Sequence, residues 1–162
     1  MSDRNLLPQT RRVQIGAATV AGTGDTVTFT EFDMKGGPSG PVESVIATVL
    51  LGAITATGVA TLRVKESDVA GTYGAGTIDL ILKSDGTVHS VSATTGDSNK
   101  VLSLEVFRPS KRYLRFELVR ATANIVILGV LAEGYNPANT ILTQATGDGY
   151  AATAIGNNIS TA

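Results

Sequence analysis

Val59-Ala60-Thr61-Leu62-Arg63-Val64-Lys65-Glu66 alternates residue by residue, with Ala60, Leu62 and Val64 set against Thr61, Arg63 and Lys65. Successive side chains of an extended strand point to opposite faces, so the pattern describes a strand with one face in a core and one in water. A helix would need apolar residues at three- and four-residue spacing. No segment of the chain shows a convincing stripe of that kind, and Thr and Val are frequent where a helix would favour Ala, Glu, Lys and Leu.

Working outward, further strand-like segments follow with turn residues between them. Arg11–Val20 comes first. Thr26–Asp33 alternates, with Val27 and Phe29 on one side and Thr26, Thr28 and Thr30 on the other. Glu43–Leu51 and Asn124–Glu133 are apolar on both faces, as central strands of a sandwich are expected to be. Thr77–Lys83 places Ile78, Leu80 and Leu82 on one face, and Asp85-Gly86 is a hairpin-turn dipeptide from which Thr87–Ala93 returns. Lys100–Phe107 and Arg112–Arg120 flank Arg108-Pro109-Ser110-Lys111. If these two strands are adjacent, pairing Phe107 with Tyr113 sets Leu104 against Phe116 and Glu105 against Arg115, which suits both faces. A jelly roll often places consecutive strands in different sheets, so both arrangements stay open.

About eight to nine strands at this spacing predict an all-β, antiparallel β-sandwich, jelly-roll-like, with extended arms at both ends. An immunoglobulin-like sandwich is the second choice, without the Cys–Trp–Cys core of antibody domains. The domain runs over residues 11–135. Residues 1–10 form an N-terminal arm without periodicity. Residues 136–162 form a C-terminal arm with no Lys or Arg and Asp148 as the only acid.

The composition of the 162 residues excludes several function classes. Cys is absent and there is one His, so disulfides, thiol chemistry and single-chain multi-His metal sites are out. A net charge of -1 argues against a general nucleic-acid binder. Charged residues are 17% of the chain and hydrophobic ones 43%, which argues against disorder over most of its length. No apolar run of signal-peptide length follows the start, and no secretory export is expected. Between Glu43 and Arg63 no residue is charged, but Gly52-Ala53-Ile54-Thr55-Ala56-Thr57-Gly58 at its centre is small and polar. Two strands and a loop explain that window better than a membrane span.

Candidate chemistry is sparse. His89 sits in a Thr/Ser/Val segment near Asp85, Ser90 and Ser92, without a G-x-S-x-G elbow. Gly71-Thr72-Tyr73-Gly74-Ala75-Gly76 lacks the spacing of a dinucleotide fingerprint. Glu31 and Asp33 lie at i,i+2, and Asp97 lies near Asn99, without a calcium-loop string. No catalytic, cofactor or metal residues are assigned, and the chain is expected not to be an enzyme. Arg108, Lys111, Arg112, Arg115 and Arg120 cluster around Tyr113, which suits a protein interface better than nucleic acid.

Gly52–Gly58, Arg108-Pro109-Ser110-Lys111-Arg112-Tyr113-Leu114-Arg115 and Asn124–Tyr135 resemble small structural proteins of tailed bacteriophages, of the capsid decoration or cement kind. The likeness covers roughly residues 11–135. It implies a virion protein, made in the host cytoplasm, that binds the outside of an icosahedral capsid as a homodimer or homotrimer and bridges major capsid protein subunits. No functional residue carries over one by one. From composition, the capsid-contact candidates are Arg4, Leu6, Leu7, Arg11, Arg12, Leu142, Tyr150 and Ile155. The oligomer-contact candidates are Arg108, Lys111, Arg112 and Tyr113. The competing expectation is a receptor- or carbohydrate-binding β module of a tail fibre or spike, which needs several of Tyr73, Tyr113, Tyr135 and Tyr150 to converge. No cofactor, nucleic acid or membrane partner is expected.

Overall fold

The computed structural model describes residues 10–36 and 41–137. Within them the chain forms β1 (Arg11–Gly16), β2 (Thr19–Gly22), β3 (Asp25–Thr28), β4 (Phe32–Asp33), β5 (Val42–Ile54), β6 (Val59–Ser67), β7 (Ser90–Thr94), β8 (Val101–Phe107), β9 (Tyr113–Ala121) and β10 (Ile125–Pro137). Among the described residues, a 3-10 turn covers Thr95–Asp97. One sheet runs β1–β10–β5–β8, with β2 continuing the β1 edge along β10. The other runs β3–β9–β6–β7, with β4 continuing the β3 edge along β9. All strand pairs are antiparallel.

Taking β1/β2 and β3/β4 as one interrupted strand each, the chain changes sheet at every connection except β6 to β7. That connectivity is the jelly roll expected from the strand count. The two-sided apolar segments do take the central places. β5 lies between β10 and β8, and β10 lies between the β1/β2 edge and β5. The inner faces supply the core: Val45, Ala47, Val49 and Leu51 from β5, Leu62 and Val64 from β6, Leu102, Leu104 and Val106 from β8, Leu114, Phe116 and Leu118 from β9, and Ile125, Ile127, Val130 and Ala132 from β10. Each Val, Leu, Ile or Phe among them contributes about 1.5–3 kcal/mol by leaving water.

Two expectations are corrected, and one arrangement left open is decided. The first two long strands are each broken. Gly16 sits where a Cβ would lie 2.8 Å from Phe29 Cδ1 and 3.0 Å from Val130 Cγ2, and the register with β10 shifts there. At Phe29–Thr30 the chain changes partners: Phe29 N–H donates to Phe116 O of one sheet and Thr30 N–H to Ile15 O of the other. Thr77–Lys83 is not a strand. Asp79 takes a φ of 63°, Leu80 is buried while Ile78 and Leu82 are exposed, and only isolated bridges join Leu80 to Lys65 and Leu82 to Val88. The Asp85-Gly86 turn does form, with Gly86 at φ 79° and Lys83 N–H donating to Thr87 O at 2.8 Å. Finally, β8 and β9 belong to different sheets, so Glu105 and Arg115 do not pair. β8 instead faces β5, with Leu104 opposite Ala47, and β9 faces β6, with Phe116 opposite Val64.

Of the residues named as arms, 1–10 and 136–162, residues 1–9 and 138–162 lie outside the described residues. The last strand runs two residues past the predicted boundary at 135.

Phe116 is fully buried between the sheets. Phe116→Ala is expected to lower unfolding free energy by about 3–5 kcal/mol, because its neighbours sit on two hydrogen-bonded sheets that cannot close the cavity. Urea denaturation should show a lower midpoint at an unchanged slope.

Candidate functional site

The sandwich has two outer faces, and they differ in chemistry. On the β3–β9–β6–β7 sheet, Arg63 lies opposite Glu117 and Lys65 opposite Arg115. Glu117 accepts from Arg63 Nε at 3.1 Å and from Arg115 Nη2 at 2.8 Å, and Lys65 Nζ stands 4.0 Å away. Glu117 and Lys65 are only 3% and 2% exposed because the segment after β6 folds over them. That segment is tied down by its main chain. Lys65 Nζ donates to Gly74 O, Gly71 N–H donates to Glu31 at 2.8 Å, and the Tyr73 hydroxyl donates to the same carboxylate at 2.8 Å. The Arg115 guanidinium stacks on the Tyr73 ring at 4.3 Å. Burial, and then the Glu31 carboxylate, push the Tyr73 hydroxyl well above the usual tyrosine range.

Two inward arginines close the ends of the sandwich. Arg120 reaches from β9 to Val20 O at 2.8 Å and Ile125 O at 3.1 Å, and pairs with Asp25 at 2.7 and 2.5 Å. Gly22 leaves the room for it: a Cβ there would lie 2.3 Å from Arg120 Nη2. At the other end Arg11 lies over the Phe32 ring at 4.0 Å and donates to Asp33 O at 2.5 Å and to Gly36 O.

The outer face of the β1–β10–β5–β8 sheet divides into halves. One half is charged and paired, with Arg12 bonded to Glu133 at 2.8 Å and Glu105 accepting from the Tyr135 hydroxyl; where β8 ends, Arg108 pairs with Glu43 at 3.1 Å. A row containing the Thr48–Ser103 hydrogen bond, 3.1 Å, crosses the middle. Beyond it lie Leu50, Val101 and Leu128, 46%, 60% and 55% exposed. Leu50 pairs with Val101 on one side and Gly129 on the other. The glycines keep this end flat. The Leu50 side chain passes 3.8 Å from where a Gly129 Cβ would be, and Val126 and Leu128 pass 2.9 and 3.4 Å from where a Gly52 Cβ would be. This flat apolar end, open to solvent among the described residues, is the candidate functional surface.

The sequence candidates fall differently. Arg4, Leu6, Leu7, Leu142, Tyr150 and Ile155 lie outside the described residues. Arg11 is buried and turned inward, so its guanidinium offers no surface to a neighbour. Arg12 stands on the charged half of the open face. Arg108, Lys111, Arg112 and Tyr113 do come together around the β8–β9 loop. Glu66 holds that loop by accepting from Ser110 N–H at 3.1 Å and Ser110 Oγ at 2.7 Å. Their cations face carboxylates of the same chain. Lys111 lies 3.9 Å from Asp79, and Arg112 makes two bonds to Asp33 at 2.8 and 2.7 Å while covering the Tyr113 ring.

Glu31 and Asp33 go to separate partners, Tyr73 and Arg112. His89, Asp85 and Ser92 are not assembled. His89 Nε2 bonds Glu105 O at 2.5 Å, Asp85 caps Thr87, and Ser92 bonds Thr61 at 2.8 Å. Leu50, Val101 and Leu128 carry the open surface but were not singled out from sequence. Their signal was there: β5 and β10 are apolar on both faces, and one of those faces is surface rather than core.

No family model and no curated protein matches the chain. Among solved structures, the fold is similar to a chain described under "Bacillus endospore appendages form a novel family of disulfide-linked pili", at 16% identity and a TM-score of 0.39 over 82% of this chain and 94% of the other. A likeness at that level says nothing of function.

Two expected outcomes follow from the charge network. Glu117→Ala leaves Arg63, Lys65 and Arg115 without their shared carboxylate and should cost about 3–5 kcal/mol, read by thermal or urea unfolding. The Arg112 hydrogen bonds hold the Asp33 carboxyl below its usual 3.8. That contribution is fully present above the unfolded value and is lost as pH falls through the folded one. Asp33→Asn should therefore flatten the loss of stability below pH 3.8, measured by denaturation across an acid series.

Proposed function

We propose that this chain is a virion structural protein that binds the outside of an icosahedral phage capsid and stabilises it by bridging major capsid protein subunits. The capsid as partner comes from the resemblance of Gly52–Gly58, Arg108–Arg115 and Asn124–Tyr135 to decoration proteins. One observation carries the reading into the structure. Two of those three stretches contribute to the flat apolar end of the open sheet face: β10 supplies Leu128 and Val126, and Gly52 at the end of β5 lies beneath them, while Leu50 and Val101 complete the patch from outside the stretches. The glycines that the resemblance includes, Gly52 and Gly129, are the ones over which Val126, Leu128 and Leu50 lie flat.

A rigid jelly roll whose charges are spent on its own corners and loops suits this role. Such a body presents a preformed surface and orders little backbone on binding, so more of the buried apolar area appears as affinity. A flat uncharged patch beside a charged rim is also the usual layout of a protein interface. The receptor- or carbohydrate-binding reading gains no comparable support. Of the tyrosines that reading needs, Tyr73 and Tyr113 each have a ring face against a guanidinium, Arg115 on Tyr73 and Arg112 on Tyr113.

The test is co-sedimentation of the purified chain with emptied, undecorated capsids of the phage that encodes it. Saturable binding at a fixed ratio to the major capsid protein is expected. Leu128→Asp and Leu50→Asp should each weaken it by about tenfold or more, since each buries a charge in the contact, and should leave the melting temperature near wild type because both sites are exposed. Absence of binding to such capsids, or binding unaffected by both substitutions, overturns the assignment.

A further inference from the structure

The free edge of β8 is built differently from the other three sheet edges. The β1/β2 edge is interrupted between Gly16 and Thr19, the β3/β4 edge between Thr28 and Phe32, and β7 is short. Broken and short edges are how β proteins avoid pairing with other chains. β8 runs unbroken through Val101-Leu102-Ser103-Leu104-Glu105-Val106-Phe107 with one charge.

Its unpaired groups can be counted from the register. Leu51 N–H donates to Lys100 O at 3.0 Å, so the pairs that exchange hydrogen bonds with β5 involve Leu102, Leu104 and Val106. The main-chain groups of Val101, Ser103, Glu105 and Phe107 point away from β5. Of these, Glu105 O accepts from His89 Nε2, and the others make no hydrogen bond among the described residues. The side chains of the same four residues stand on the open sheet face, where Phe107 is 63% exposed.

We propose that this edge pairs with the same edge of a second copy, antiparallel about a two-fold axis at Leu104, joining two four-strand-wide sheets into one. The sequence of β8 is self-complementary in that register. Val101 lies opposite Phe107 of the second copy, and Ser103 lies opposite Glu105 of the second copy. Two exposed apolar side chains cover each other twice, and each carboxylate meets a hydroxyl. Moving the axis to Glu105 sets the two Glu105 carboxylates against each other. Moving it to Ser103 sets Val101 against Glu105 and leaves Phe107 without an apolar partner. Both alternatives are disfavoured. The His89 bond need not break, because the Glu105 carbonyl has a second lone pair. The apolar end of one copy's face then continues through Val101 onto Phe107 of the next.

The inference is independent of the capsid reading, and its test separates the two. Sedimentation velocity on the full chain should show a concentration-dependent dimer. Ser103→Pro removes an outward N–H that makes no bond among the described residues, and should weaken the dimer by about tenfold or more while the monomer still folds. Because the chain has no cysteine, Val101→Cys with Phe107→Cys reports the register independently of Ser103→Pro: oxidation should give a covalent dimer, and neither single variant should. Leu128→Asp, away from the edge, should leave dimerisation unchanged whether or not capsid binding is lost. A chain that stays monomeric at high micromolar concentration, or a dimer that the double-cysteine variant fails to cross-link, overturns the proposal.

Discussion

The pairing of β5 with β10 is the constraint on which the rest of the molecule depends. Both strands run 13 residues, and they face each other from Ile125–Ile54 to Pro137–Val42. Their inner sides form one wall of the core. Their outer sides form the middle of the open face. They are far apart in sequence, so residues 55–124 must be closed into a loop before any contact of this pair is made. The jelly-roll crossings are the routes by which the intervening strands reach a two-layer arrangement around it.

At the two ends of the sandwich the carbonyls of Val20, Ile125, Asp33 and Gly36 accept from side chains. The donors are Arg120 and Arg11, reaching from inside, one at each end. A guanidinium suits the task because it carries several donors in a fixed plane and packs flat against an aromatic ring or a glycine. Asp25 and Asp33 sit beside these ends and pair with Arg120 and Arg112. Much of the basic content is thus consumed in holding connections together.

The two outer faces show how one sandwich can have a covered side and an open side. The face of β9 and β6 carries Arg63, Lys65, Arg115 and Glu117, and the long segment between β6 and β7 lies over it. Charged side chains under a loop are tolerated because each is paired or bonded to a main-chain carbonyl. The face of β10, β5 and β8 carries Leu128, Leu50 and Val101, with glycines between them. No described segment of the chain crosses it. The proposed contact surface and the proposed edge pairing both belong to this sheet.

Alternation by itself determined that the chain is all-β, that it has about the observed number of strands, and that Glu43–Leu51 and Asn124–Glu133 are central. It could do so because side-chain direction in a strand depends only on the parity of position along the chain. The sequence also marked the Asp85-Gly86 turn, since that geometry is local. What lay beyond it was everything set by which strands meet. The alternation of Arg112–Arg120 is equally compatible with β8 or β6 as a neighbour, and the register that matched Glu105 with Arg115 was sound for a pairing the fold does not make. Arg11 and Arg12 are adjacent in sequence, yet one closes the core and the other lies on the surface. A two-sided apolar strand reads the same whether its second face is buried or open, so the exposure of Leu50, Val101 and Leu128 was decided only by where the loops between strands came to rest.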